Sequence, residues 1–186
     1  MRIPTAEDVR GQYRVRAILE QEAAKLFNEM ASPAERAELT KLAARVDALY
    51  MQQAVNRVYY LNLHEAFHRR IAECSGCPAL CQAIERTRAL SSTWLCGSKI
   101  SASLAHIHQD LVDVLTKGEP HAAGEAMHEH VMSSMHRALE RLEPYFRAHD
   151  QHDTYARKPR KQFAFVPAVQ QEASATEAEL VKMLPA

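Results

Sequence analysis

The sequence has little glycine, only 5 of 186 residues. Tight turns and β-hairpins depend on glycine, so this scarcity argues against a turn-rich β fold. Hydrophobic residues make up 47% of the chain, which is enough to build the core of one domain of this length. The composition therefore favours a single domain made of helices.

An excess of charge of either sign is also missing. Lys+Arg and Asp+Glu are 23 each, and a protein that works mainly by gripping phosphate backbones usually carries a basic excess. No apolar run approaches the roughly 20 residues that span a bilayer, and the start MRIPTAEDVRG lacks the apolar core of a signal peptide. We therefore expect a cytoplasmic protein without membrane contact, whose four cysteines stay reduced.

Motifs that define known catalytic centres are scarce as well. The run Cys74-x-x-Cys77-x-x-x-Cys81 lacks the second pair that a structural zinc site usually needs, and no His-Glu-x-x-His is present. Inward acidic residues are expected to be few, because Glu65 and Glu73 fall on helix faces that look solvated. We predict no catalytic residues. A metal-dependent hydrolase or oxygenase on a helical scaffold stays as the alternative, and it would need an open metal position and a general base.

Helical periodicity is what the chain has in abundance. From Thr5 to Phe146, apolar residues recur at three- and four-residue steps, interrupted by short breaks such as "MASPAE" and "KGEP". At the first break Ser32 and Glu35 form a capping-box pattern, with Pro33 in the first turn. The predicted fold class is all-α, an antiparallel bundle of about six helices. The apolar face of the first helix is predicted to be Val15, Ile18, Leu19, Ala23, Leu26 and Phe27.

Three segments are predicted along the chain. Residues 1–10 are expected to be an N-terminal arm, and residues 11–146 a helical domain that binds a metal and an effector. Residues 147–186 are expected to be a polar tail, with a possible short helix at 175–184. After Arg147 the sequence becomes polar and loses helical periodicity, which places the boundary between the helical domain and the tail.

Histidine is the one residue type in excess, with ten copies. The helical pattern predicts that four of them point inward from three helices: His64, His68, His108 and His130. A single inward histidine is more often a hydrogen-bonded core residue than a ligand. Four inward imidazoles would each need a separate partner, whereas one shared metal would satisfy them together. All-nitrogen ligation suits Zn²⁺, and also Ni²⁺ and other transition metals.

Three stretches carry a resemblance to a known family: "VRAILEQEAAKLF", "AFHRRIAECSGCPAL" and "HQDLVDVLTKGEPHAAGEAMHEHV". They resemble, over residues 10–146, the C-terminal effector-binding FCD domain of the FadR subfamily of GntR transcription regulators. The resemblance implies a divalent metal, zinc above all, at the base of a pocket for a small carboxylate effector. His68, His108 and His130 match the family's histidine ligands, while His64 stands where the family usually has Asp. An imidazole there removes a negative charge and makes the ligand set softer.

The same resemblance implies effector and partner contacts. Arg16, in "VRAILE", matches an arginine near the family's effector pocket, and Arg88 and Trp94 are further candidates for the pocket wall. The alternatives are a surface position for Arg16, in a salt bridge with Glu20 at i, i+4, and plain core packing for Trp94. The family implies a homodimer that contacts DNA through a winged helix-turn-helix domain. That domain is not in this sequence, so we expect no operator binding by this chain alone.

Overall fold

A computed structural model describes the backbone of residues 5–50, 57–95 and 106–150, and the side chains of residues 5–50, 58–87 and 106–147. These residues form an all-α bundle, as predicted. Its six helices are α1 (Ala6–Met30), α2 (Pro33–Tyr50), α3 (Arg57–Glu73), α4 (Pro78–Leu95), α5 (Ile107–Lys117) and α6 (Pro120–Asp150). Helix α1 packs mainly against α6, and α2 packs against α3 and α5. None of the described helices has the length and apolar content needed to cross a membrane.

Capping boxes fix where the first two helices begin. The Thr5 and Asp8 side chains each accept the other residue's backbone N–H, at 3.2 and 2.8 Å. The predicted box at α2 is confirmed, because Ser32 N–H donates to Glu35 Oε2 at 2.9 Å and Glu35 N–H to Ser32 Oγ at 3.3 Å. Each box satisfies two backbone N–H groups that the helix leaves without partners. Helix α1 therefore includes residues 6–10, which the sequence had suggested as an arm, and α6 extends past the predicted boundary at 146 to Asp150.

The inner face of α1 differs from the predicted one. Val15 and Ile18 are 50% and 63% exposed, so their assignment to the core is wrong. The residues that α1 buries are instead Val9, Tyr13, Arg16, Ala17, Glu20, Ala23, Ala24 and Phe27. The prediction counted apolar side chains only. The inner face also includes the buried ion pair of Arg16 and Glu20, so Val15 and Ile18 lie on the opposite, exposed side.

A polar clamp fixes the carboxyl ends of α1 and α5. Asn28 Nδ2 donates to the carbonyls of Leu115 and Gly118, at 2.8 and 2.9 Å. Arg36 donates to the carbonyls of Ala31 at 3.1 Å and Thr116 at 2.7 Å, and also to that of Asn28. These carbonyls come from helix ends, where no intrahelical donor remains for them. The clamp fixes the position of α5 against α1 and α2.

Helix α6 approaches α1 closely near its start. A Cβ added at Gly124 would lie 2.7 Å from Lys25 Cε and 2.8 Å from Lys25 Cγ, closer than side chains normally come. Glycine at this position therefore leaves room for the Lys25 side chain between the two helices. Met127, Val131, Met135 and Ala138 form the buried face of α6, at steps of three and four residues.

Candidate metal centre

Four imidazoles from three helices converge at the centre of the bundle. His64 and His68 lie one turn apart on α3, His108 lies in the first turn of α5, and His130 lies in α6. One ring nitrogen from each of the four lies within 4.8 Å of every other. The structure thus brings together all four histidines that the sequence singled out as metal ligands.

The cluster is enclosed by the core. His68, His108 and His130 are buried, and His64 is partly buried. The buried ring of Phe67 meets the His68 and His108 rings edge to face, with both pairs of ring centroids 5.3 Å apart. Water therefore has little access to these rings, and their nitrogens depend on partners inside the protein or on a ligand.

A buried carboxylate on α1 orients His68. His68 Nδ1 lies 2.5 Å from Glu20 Oε2, and Arg16 Nε donates to the other oxygen, Glu20 Oε1, at 2.5 Å. A carboxylate only accepts, so the Nδ1 of His68 carries the proton and its Nε2 presents a lone pair. Burial alone would raise the pKa of Glu20, but the charge of Arg16 and the hydrogen bonds from Arg16 and His68 hold it well below the usual range.

A second buried carboxylate, on α2, orients His108 in the same way. His108 Nδ1 donates to Asp47 Oδ1 at 2.6 Å, while Asp47 Oδ2 accepts the backbone N–H of Gln109 at 2.9 Å. Asp47 therefore also caps α5, where the N-cap residue His106 makes no side-chain cap of its own. Burial alone would raise the pKa of Asp47, and the hydrogen bonds from His108 and from the backbone N–H of Gln109 lower it overall.

The nitrogens left over by these contacts face one another. His68 Nε2 lies 3.3 Å from His64 Nε2. Among the described residues, neither His108 Nε2 nor either ring nitrogen of His130 has a hydrogen-bond partner, although all three atoms are buried. A buried polar atom without a partner costs about 1–3 kcal/mol, so these orphaned nitrogens require a common explanation.

The donor set fits a divalent transition metal. Zn²⁺–N bonds of about 2.0–2.1 Å place tetrahedral nitrogen ligands about 3.4 Å apart, close to the His64–His68 nitrogen separation. The widest separation in the cluster, 4.8 Å, can be shortened by small ring movements. Burial and the neighbouring imidazoles lower the pKa of His64 and of His130 well below the usual histidine value. Both rings are thus neutral, the form that coordinates metals.

Of the two residues predicted to contact the effector, Arg16 has a described side chain and Arg88 does not. Arg16 pairs with Glu20 at i, i+4, but the pair is buried on α1 and not at the surface, as the salt-bridge alternative had it. The Glu20 carboxylate also contacts His68. The Arg16 guanidinium carbon also lies 6.0 Å from the centre of the Tyr13 ring. Arg88 and Trp94 lie in α4, but their side chains are outside the described part of the structure.

The sequence reasoning missed Glu20 as a histidine partner and missed Asp47 altogether. Few inward acidic residues were expected, and among the described residues Glu20 and Asp47 are the two acidic side chains that are buried, at 2% and 1% exposure. A signal was present in each helix. Glu20 continues the series Tyr13, Ala17, Glu20, Ala24, and Asp47 sits beside Val46 between Ala43 and Tyr50. A charged residue on an apolar stripe indicates a buried partner.

The residues of this site lie within a known domain family. The family model described as the FCD domain matches residues 12–133, a span that includes both carboxylates and all four histidines. None of the curated proteins compared with the chain matches it. FCD domains are the ligand-sensing regulatory part of GntR-type regulators. The chain belongs to the FCD domain family, within the FadR subfamily of GntR transcription regulators.

Proposed function

We propose that this FCD domain senses a small organic acid at a divalent metal held by His64, His68, His108 and His130. The observation that carries the proposal is the set of buried ring nitrogens facing one another, three of which have no hydrogen-bond partner among the described residues. Zinc fits the all-nitrogen donor set best, and nickel or another transition metal is compatible with it.

Two carboxylates are proposed to orient the histidine ring nitrogens for metal binding. Glu20 and Asp47 fix the tautomers of His68 and His108, so that Nε2 of each ring faces the cluster. When bound, the metal supplies a Lewis-acidic position to which a carboxylate can coordinate. His64 replaces the acidic ligand of the resembling family, so one negative charge fewer stands near an incoming anion.

Arg16 is proposed to contribute positive charge to the same pocket. Its Nε is committed to Glu20, and burial of the pair leaves the guanidinium in the lining between Tyr13 and His68. An anionic effector would gain from a cation fixed at this depth, because electrostatic attraction is less screened there than at the surface. Arg88 on α4 is proposed as a second arginine that binds the effector.

The hydrogen bonds of the two buried carboxylates favour effector binding over metal-dependent hydrolysis. A hydrolytic metal site needs a base that is free to take a proton from water. Glu20 and Asp47 each already accept an imidazole N–H, and both have lowered pKa values. We therefore propose that they orient ligands and do not act as bases.

Effector binding is proposed to act through helix packing in a homodimer. The histidines join α3, α5 and α6, and Glu20 and Asp47 connect them to α1 and α2. A ligand that binds one arrangement of these helices more tightly shifts the population towards it. In a GntR regulator such a shift would change the spacing of the two DNA-reading domains, which lie outside this sequence.

Metal content tests the proposal directly. Elemental analysis of the purified chain should find close to one transition-metal ion per chain, and His108→Ala and His130→Ala should each remove most of it. His121→Ala and His136→Ala are matched controls, because both histidines are exposed on the same helix as His130. Unchanged metal in the His108 and His130 variants would refute the proposed site. Metal-dependent turnover of small acids or esters by the loaded protein would instead support the enzyme alternative.

A further inference from the structure

A second polar cluster lies next to the histidines, and the proposed metal does not account for it. It consists of Tyr13 on α1, Tyr50 at the end of α2, Tyr60 on α3 and Arg137 on α6. The Tyr60 ring stacks on His64 with centroids 5.8 Å apart, and the Tyr50 ring lies 5.8 Å from that of Tyr60. The tyrosines thus extend outward from the imidazole cluster along one side.

Arg137 is a partly buried cation without a carboxylate partner among the described residues. Arg137 Nη2 donates to Ser134 Oγ at 2.8 Å, and Arg137 forms no ion pair in the part of the chain that the structure describes. Burial lowers the pKa of Arg137, as does the charge of Arg141, while the tyrosines favour its charged form. A guanidinium withdrawn from water and facing no anion is costly, so an anionic ligand would stabilise it.

Two buried hydroxyl donors lie within electrostatic reach of Arg137. The hydroxyls of Tyr13 and Tyr50 are buried and have no hydrogen-bond partner among the described residues. Arg137 lies within electrostatic reach of both and of Tyr60. Burial raises the pKa of Tyr13 and Tyr60, so these hydroxyls stay protonated and can donate. Orphaned hydroxyls beside an uncompensated guanidinium make a receptor for an anion.

The position of Ser134 gives the approximate distance between the histidine cluster and the Arg137 guanidinium. Ser134 Oγ accepts from Arg137 and donates to the His130 carbonyl at 3.0 Å, so the guanidinium is folded back towards the turn that carries His130. Ser134 is one turn from His130, a rise of about 6 Å along α6. A ligand joining the histidines to Arg137 therefore needs two anionic ends separated by a short carbon chain.

We infer that the effector is a short-chain dicarboxylate, with one carboxylate at the histidine cluster and the other held by Arg137 and the Tyr13 and Tyr50 hydroxyls. The planar guanidinium fork matches a carboxylate bidentately, and the tyrosines add donors to the same group. This inference rests on the proposed function for the first carboxylate. The second carboxylate rests on observations that are independent of the metal.

The test compares matched acids on the full, zinc-loaded chain by isothermal titration. The probes are succinate and glutarate, each with its monoamide, which keeps the shape but removes one charge. The wild type should bind at least one diacid about tenfold or more tightly than its monoamide, as expected for a hydrogen-bonded charge pair. Arg137→Gln should lower diacid affinity to that of the monoamide and leave the monoamide unchanged.

The controls separate this inference from the proposed function. Arg147→Gln, which removes an exposed arginine paired with Glu143 on the same helix, should bind like the wild type. Tyr50→Phe should weaken diacid binding several-fold, and it serves as the test if Arg137→Gln fails to fold. Zinc content, measured separately, tests the metal site alone and should be equal in all variants. Equal affinity of diacid and monoamide for the loaded wild type, equal loss of both in Arg137→Gln, or no binding of any probe would overturn the inference.

Discussion

The Asp47 carboxylate accepts two hydrogen bonds from α5: Oδ1 accepts His108 Nδ1–H at 2.6 Å, and Oδ2 accepts the backbone N–H of Gln109 at 2.9 Å. The first bond fixes the tautomer of a proposed metal ligand. The second stabilises the start of α5, the helix that carries this ligand. Stability and ligand geometry are therefore coupled at this residue.

Asp47→Asn tests this coupling. The amide keeps the size of the side chain but loses the charge, and it can accept at only one atom. We expect metal affinity to fall about 10–100-fold, as for other residues that orient a ligand. The free energy of unfolding should fall by about 1–2 kcal/mol through loss of the cap. Competition with a fluorescent chelator and urea unfolding measure the two effects. Asp113→Asn, at an exposed position on α5, should change neither.

Glu20→Gln is expected to destabilise the fold more strongly. It leaves the Arg16 guanidinium buried without its carboxylate, and removing one partner of a buried ion pair costs about 3–5 kcal/mol. Urea unfolding of the metal-free chain should show the loss. The double variant Arg16→Met/Glu20→Leu should be more stable than Glu20→Gln, because no charge is left buried. Glu22→Gln is the exposed control on α1. A loss no larger for Glu20→Gln than for Glu22→Gln would contradict the buried pair.

Removal of the proposed metal should lower the melting temperature. A ligand present at about 1,000 times its dissociation constant stabilises the native state by about 4 kcal/mol. A chelator should therefore cause a shift of several degrees in a thermal unfolding scan, and added Zn²⁺ should reverse it. His130→Ala should melt at the same temperature with and without chelator. If chelator leaves the wild-type melting temperature unchanged, no stabilising metal is bound.

Arg36→Met tests the clamp between α1 and α5. The variant keeps an apolar stem of similar length but leaves the carbonyls of Ala31, Thr116 and Asn28 without this donor. With about 1 kcal/mol lost for each bond, the free energy of unfolding should fall by roughly 2–4 kcal/mol. Arg45→Met is the control, because Arg45 is exposed on the same helix and contacts only the Tyr59 hydroxyl in the described residues. Similar losses in both variants would show that the carbonyl contacts contribute little.

Local pattern was enough to predict much of this molecule. The capping box at Ser32, the apolar face of α6 and the inward direction of all four histidines follow from periodicity and spacing within single helices. The same rule failed on α1, where Val15 and Ile18 were expected inside and lie outside. Hydrophobicity ranks residues one at a time, and it cannot show that an arginine and a glutamate will bury each other.

The sequence by itself determined the all-helical fold and the histidines that point inward, because helix periodicity assigns each residue to a face. Only the tertiary structure decided which groups meet across helices. Glu20 lies 48 positions from His68, and Asp47 lies 61 from His108. Arg137 lies within electrostatic reach of tyrosines from three other helices. Such contacts depend on how the helices are placed against one another, and that placement is fixed by packing of the whole core and not by the pattern within any one helix.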